Sequence, residues 1–159
     1  MLTWNGQDHN NCKKTDMKIT KEALRKIEEI AHDKNVETGG ILGAESDDTV
    51  SCVFADLPDS TAGCRFDYFP NTVFLNKQIE AWSENNIEFV GMFHTHFSGS
   101  KNLSAADSKY IEAIMNESRG ITEYLYFPVF TLPDNELTVY KACFDGKKTV
   151  IAKDILYVI

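Results

Sequence analysis

Ile87-Glu88-Phe89-Val90-Gly91-Met92-Phe93-His94-Thr95-His96 is rich in β-branched and aromatic side chains and predicts a strand. Successive side chains of a strand leave opposite faces, so Val90, Met92, His94 and His96 are expected to share one. Both imidazoles then emerge on the same side at the strand's end. That geometry can hold one metal ion without bending the backbone.

Downstream, Ser104-Ala105-Ala106-Asp107 opens a predicted helix. Tyr110, Ile111, Ile114 and Met115 follow Asp107 at helical spacing on its own face, so the carboxylate points the way the core does. Burying an unpartnered polar group costs roughly 2–7 kcal/mol, and a charge costs more, so this acid calls for a cation or strong donors. His94, His96 and Asp107 together supply three nitrogen and oxygen ligands. A catalytic zinc uses that number and leaves its fourth tetrahedral position to water, whose pKa it lowers to about 7. A proton acceptor is still needed. Upstream, Glu37-Thr38-Gly39-Gly40-Ile41-Leu42-Gly43 sets an acid directly before a Gly-Gly turn into a short apolar strand, which makes Glu37 the candidate base. Each feature alone has a plainer account. Ser104-x-x-Asp107 is a capping-box pattern, a His-x-His in a strand more often packs than ligates, and Glu37 alone is a turn acid. Their joint spacing carries the metal reading.

A Glu before Gly-Gly-Ile-Leu-Gly, then His-x-His, seven residues, Ser, two residues and Asp resembles the JAMM (MPN-plus) zinc metalloprotease family in its compact prokaryotic form. The likeness runs from Thr20 to Phe144, and Phe97 departs from it where many relatives carry proline. The resemblance implies an α+β domain of the MPN/JAB, cytidine-deaminase-like type. It implies one Zn²⁺ per chain on His94, His96 and Asp107, Glu37 as general base and then acid, and Ser104 as oxyanion donor. It further implies cleavage of the amide after the C-terminal tail of ubiquitin or a bacterial ubiquitin-like protein, beside ubiquitin-activating and ubiquitin-conjugating homologues of bacterial defence systems. The alternatives are a metallopeptidase that processes a sulfur carrier or a cysteine adduct, and a non-catalytic MPN scaffold.

The 159 residues fit one domain, long enough to bury about two-thirds of the unfolded surface without a metal staple. A formal charge of −8 with no basic block argues against nucleic acid or an anionic membrane as partner. The start lacks the regions of a signal peptide and no apolar run reaches a membrane span, so a cytoplasmic protein is expected. Cys12, Cys52, Cys64 and Cys143 show no C-x-x-C spacing and are expected to be free thiols. His9-x-x-Cys12, a conceivable metal half-site, reads as part of a disordered tail.

Residues 1–18 are expected to be a polar arm and 19–159 a single domain. A helix is expected after Thr20, ending near Asn35, with Ala23, Leu24, Ile27, Ile30 and Ala31 on one face. Strands are expected near 40–45 and 49–56, an exposed loop that contacts substrate at 57–70, and a second helix at 71–85. Further strands at 123–132, 136–144 and 148–158, joined by Pro133-Asp134-Asn135 and Asp145-Gly146, predict a C-terminal antiparallel meander, the last run being a strand or a short helix. The architecture is a mixed, mainly antiparallel sheet flanked by about three helices, α/β/α-like in its layers.

Overall fold

The computed structural model of the protein describes residues 16–33, 36–56 and 68–159. Its elements run β1 (Met17–Ile19), α1 (Lys21–Asp33), β2 (Gly39–Ala44), β3 (Val50–Ala55), α2 (Thr72–Glu84), β4 (Glu88–His96) and α3 (Ala105–Glu117). Six short strands complete the chain: β5 (Tyr124–Tyr126), β6 (Val129–Thr131), β7 (Glu136–Thr138), β8 (Tyr140–Phe144), β9 (Thr149–Lys153) and β10 (Leu156–Val158). The strands form one mixed sheet in the order β10-β1-β3-β2-β4-β5-β8-β9, with β6 on β4 and β7 on β6.

Two apolar cores lie on the two faces of this sheet. Thr20 Oγ1 caps α1 by accepting from the Ala23 N–H at 3.1 Å, and the helix then lays Ala23, Ile27 and Ala31 onto Leu42, Val53 and Phe93. On the opposite face, Leu75 and Trp82 of α2 and Ile111 and Met115 of α3 cover Ile41, Met92 and Leu125. One helix lies on one face and two on the other, which agrees with the expected α/β/α-like layering. Burying side chains of this size stabilises by about 1.5–3 kcal/mol each.

β4 lies at the centre, paired with β2 on one side and with both β5 and β6 on the other. Its contact with β5 is a backbone contact. A methyl group at Gly91 would lie 2.0 Å from the Tyr126 carbonyl oxygen, so only glycine lets the two strands meet at the Gly91–Tyr126 pair. The strand carries a bulge. Leu42 pairs with Gly91 but Gly43 pairs with Phe89, which leaves Val90 as the extra residue. Val90 therefore turns to the α1 side with Phe93, and the expectation that it shares a face with Met92 is wrong. The bulge breaks the period before Met92 and leaves the alternation Met92, His94, His96 intact.

Other expectations are corrected by short elements. The boundary of the arm at residue 18 falls inside β1, where Met17 and Ile19 are fully buried between β3 and β10. Three residues are too few to show a period. The run 123–132 is two strands, β5 and β6, broken at Phe127-Pro128, and both lie along β4. The run 148–158 is strand except for Lys148 and for Asp154 and Ile155, where the chain leaves β8 and joins β1. Cys143 is disulfide-bonded, against the expectation of a free thiol, whereas Cys52 is free as expected. Cys12, Cys64, the His9-x-x-Cys12 pattern, the end of the first helix at Asn35 and most of the 57–70 loop lie outside the described residues.

Candidate metal centre

Pairing of β2 with β4 brings the two halves of the centre together. Gly39 pairs with His94, and one step beyond, the Thr95 N–H donates to the Thr38 carbonyl at 2.8 Å while the Thr38 N–H donates to Thr95 Oγ1 at 2.9 Å. Glu37 is thus carried to the end of β4 that bears the histidines. Gly39 has no room for a side chain: a methyl there would lie 2.5 Å from the Phe93 carbonyl oxygen and 2.6 Å from the Tyr68 ring.

From the other side α3 delivers Asp107. Ser104 and Asp107 form a full capping box, with the Asp107 N–H donating to Ser104 Oγ at 3.0 Å and the Ser104 N–H donating to Asp107 Oδ2 at 2.8 Å. The cap aims the carboxylate. Asp107 Oδ2 lies 3.1 Å from His96 Nε2 and 3.2 Å from His94 Nε2, and the two Nε2 atoms are 2.9 Å apart. His94 is fully buried, and His96 and Asp107 are 7% and 6% exposed.

Three lone-pair atoms meeting at one point are a donor set for a small cation, and the spacing tests the fit. Zinc bonds of 2.0–2.1 Å at tetrahedral angles place ligand atoms about 3.3 Å apart. The observed separations are a few tenths of an ångström less, so an ion seats with a slight outward shift of the three side chains. Among the described residues His94, His96 and Asp107 are the group that offers this set.

The electrostatics agree with a cation site. Burial raises the pKa of Asp107, but hydrogen bonds from His94 and His96 outweigh it and hold the carboxyl well below the usual carboxylate range. For His94 burial dominates and lowers the pKa, which keeps the ring neutral as a ligand must be. Burial acts the same way on His96, but the Asp107 bond, the Ser100 carbonyl and the charges of Asp107 and Glu37 prevail and raise it. His96 Nδ1 sits 2.8 Å from the Ser100 carbonyl oxygen, which can only accept, so Nδ1 keeps its proton and Nε2, the nitrogen turned to Asp107, is the one that would bind a metal.

An open cavity of about 210 Å³ lies against the centre and is lined by Glu37, His96, Ser104 and Asp107 together with Ser98 and Ser100. All five candidate residues thus converge, with His94 behind the cavity wall. Two aromatic neighbours escaped sequence reasoning. In the sequence Tyr110 belongs to the apolar stripe of its helix, but in the structure its hydroxyl lies 3.0 Å from His94 Nδ1. Tyr68 stacks on the His94 ring with centroids 6.3 Å apart and planes 13° apart, and its hydroxyl donates to Asp56 Oδ2 at 2.7 Å. Tyr110 stands one helical turn past Asp107, a signal that was available. Tyr68 follows a turn-rich stretch and gave none.

Comparison with known proteins bears on the fold. No protein-family model and no curated protein matches the chain. Among solved structures, a protein of Desulfitobacterium hafniense is similar at TM-score 0.63 and 16% identity, over 90% of this chain and 92% of that one. A JAB1/MPN domain protein of Archaeoglobus fulgidus is similar at TM-score 0.55 and 18% identity, over 91% and 99%. A structure described as JAMM, a metalloprotease-like zinc site in the proteasome and signalosome, is similar at TM-score 0.52 and 19% identity, over 91% and 99%. The chain has the JAB1/MPN fold. Its cluster of two histidines and an aspartate is consistent with zinc.

Proposed function

We propose that the chain is a zinc-dependent peptidase or isopeptidase that hydrolyses the amide after the C-terminal tail of ubiquitin or a ubiquitin-like protein. The observation that carries this reading is the convergence of Glu37 and Ser104 with His96 and Asp107 on one open cavity, His94 completing the ligand set. A zinc ion held there supplies Lewis-acid polarisation and makes water acidic enough to deprotonate near neutral pH. Glu37 takes the proton of the attacking water and passes it to the departing amine. The Ser104 oxygen already accepts from the Asp107 N–H, which leaves its hydroxyl proton to meet the negative charge developing on the substrate carbonyl oxygen. The choice of a ubiquitin-like tail draws on the likeness of the Glu37, His94, His96, Ser104 and Asp107 spacing to the JAMM pattern.

Protein purified without added metal is expected to hold about one zinc per chain. Glu37→Gln should keep that zinc and the wild-type melting temperature but lose turnover by on the order of 10²–10⁴-fold, because an amide cannot take the proton. The substrates are ubiquitin and ubiquitin-like proteins fused at their tails to a reporter, with cleavage expected directly after the tail. Near-normal turnover in Glu37→Gln would place the base elsewhere. Cleavage of a sulfur-carrier fusion or a cysteine adduct alone would replace the substrate assignment, and a wild-type protein that cannot be loaded with zinc would leave a scaffold.

A further inference from the structure

We propose that Tyr110 is a positioning residue of the metal centre, its hydroxyl oxygen accepting the Nδ1 proton of His94 and so presenting Nε2 to the metal. The inference rests on the zinc reading above. The two histidines are anchored by chemically different partners. His96 Nδ1 faces the Ser100 carbonyl, a fixed acceptor that permits one tautomer. His94 Nδ1 faces the Tyr110 hydroxyl at 3.0 Å, a group that can donate or accept. A neutral phenol therefore supports either tautomer of His94. Without metal, the phenol donates to Nδ1 and an Nε2–H bonds to Asp107 Oδ2 at 3.2 Å. With metal, Nε2 must give up its proton, Nδ1 carries it, and the phenol rotates to accept. At the Tyr110–His94 contact that exchange needs only a turn of the phenol O–H.

The phenol is itself held in place. Its ring meets Phe127, which is fully buried, at 6.4 Å between centroids and 67°, and meets the His94 ring edge-on at 5.9 Å and 81°. Tyr68 stacks on the same imidazole, so His94 is confined in plane and its remaining freedom is the choice of tautomer. Phenylalanine in place of Tyr110 would keep the ring packing and remove only the hydroxyl. The buried Nδ1–H of the metal-loaded state would then lack this partner, whereas the metal-free state would lack only a donor. The loaded state loses more, and zinc affinity falls.

The test compares wild type, Tyr110→Phe and His96→Ala by competition with a chromophoric zinc chelator, using zinc alone as ligand. Tyr110→Phe is expected to bind zinc about 10–100-fold more weakly, with the metal-free melting temperature close to that of wild type. A second readout needs no variant. Nitrogen NMR of the zinc-loaded wild type should show His94 protonated at Nδ1, and the metal-free protein should show it protonated at Nε2. Equal zinc affinity in wild type and Tyr110→Phe, or a loaded His94 bound to metal through Nδ1, would overturn the proposal while leaving the zinc reading intact. A wild-type affinity no better than that of His96→Ala would overturn both.

Discussion

Ser104 caps its helix with the hydroxyl oxygen and lines the cavity, where the proposed mechanism gives its proton a second role, and substitution can separate the two. Ser104→Ala loses the cap, at about 1 kcal/mol, and also the hydroxyl that the proposed mechanism sets against the developing charge. Glycine is a fair N-cap, within a few tenths of a kcal/mol of serine, yet has no hydroxyl. Ser104→Gly is therefore expected to restore the melting temperature but not the turnover, which should stay on the order of 10²-fold or more below wild type. Recovery of both would show that the cap alone matters. At this scale the five candidate residues were legible because their spacing is fixed by elements whose periods are known: His94 and His96 along one strand, Asp107 on one helical stripe. Tyr68 was illegible because its position depends on Asp56, which pairs through space with both its hydroxyl and the Asn71 N–H.

The link between β4 and α3 shapes the cavity, and its geometry is set from outside. The Ser100 carbonyl faces His96, the Lys101 carbonyl accepts from the Tyr140 hydroxyl of β8 at 2.6 Å, and the Lys101 ammonium pairs with Glu136. Burial raises the pKa of Tyr140, which fixes the sign of its pH dependence. The unfolded phenol ionises near pH 10, so the folded chain binds more protons above that value and stability falls as pH rises. The contribution of Tyr140 is thus full below about pH 10 and is lost as pH climbs through the raised folded value. Tyr140→Phe should be less stable than wild type by about 1 kcal/mol at neutral pH, with the gap narrowing above pH 10. A constant gap across denaturant titrations at both pH values would contradict it. Among the elements, the three helices and the histidine strand were legible from their long apolar patterns. The breaks were not. The Val90 bulge and the split between β5 and β6 are tertiary, set by what lies opposite in β2 and β4.

Both apolar cores close without any contribution from the metal ligands, so removing metal should loosen the molecule but not unfold it. At free zinc a hundredfold above the dissociation constant, binding adds ~2.7 kcal/mol, and stripping it should lower the melting temperature by roughly 5–10 °C. The far-ultraviolet circular dichroism of the stripped protein should remain that of the folded state, and collapse of that signal on chelation would make the site structural instead. Sequence length and composition foretold a self-sufficient core at this scale. They were silent on the joining of the sheet's opposite edges, because β9 and β10 lie at the two ends of the strand order although only Asp154 and Ile155 separate them. That arrangement has a mechanical meaning. β1 and β10 run parallel, Met17 beside Leu156 and Ile19 beside Val158, with the Ile159 N–H donating to the Ile19 carbonyl at 2.9 Å and the Lys21 N–H to the Ile159 carbonyl at 3.0 Å. Tension applied between residues 16 and 159 slides these two strands lengthwise past each other instead of peeling them apart, so their bonds share the load and must yield together.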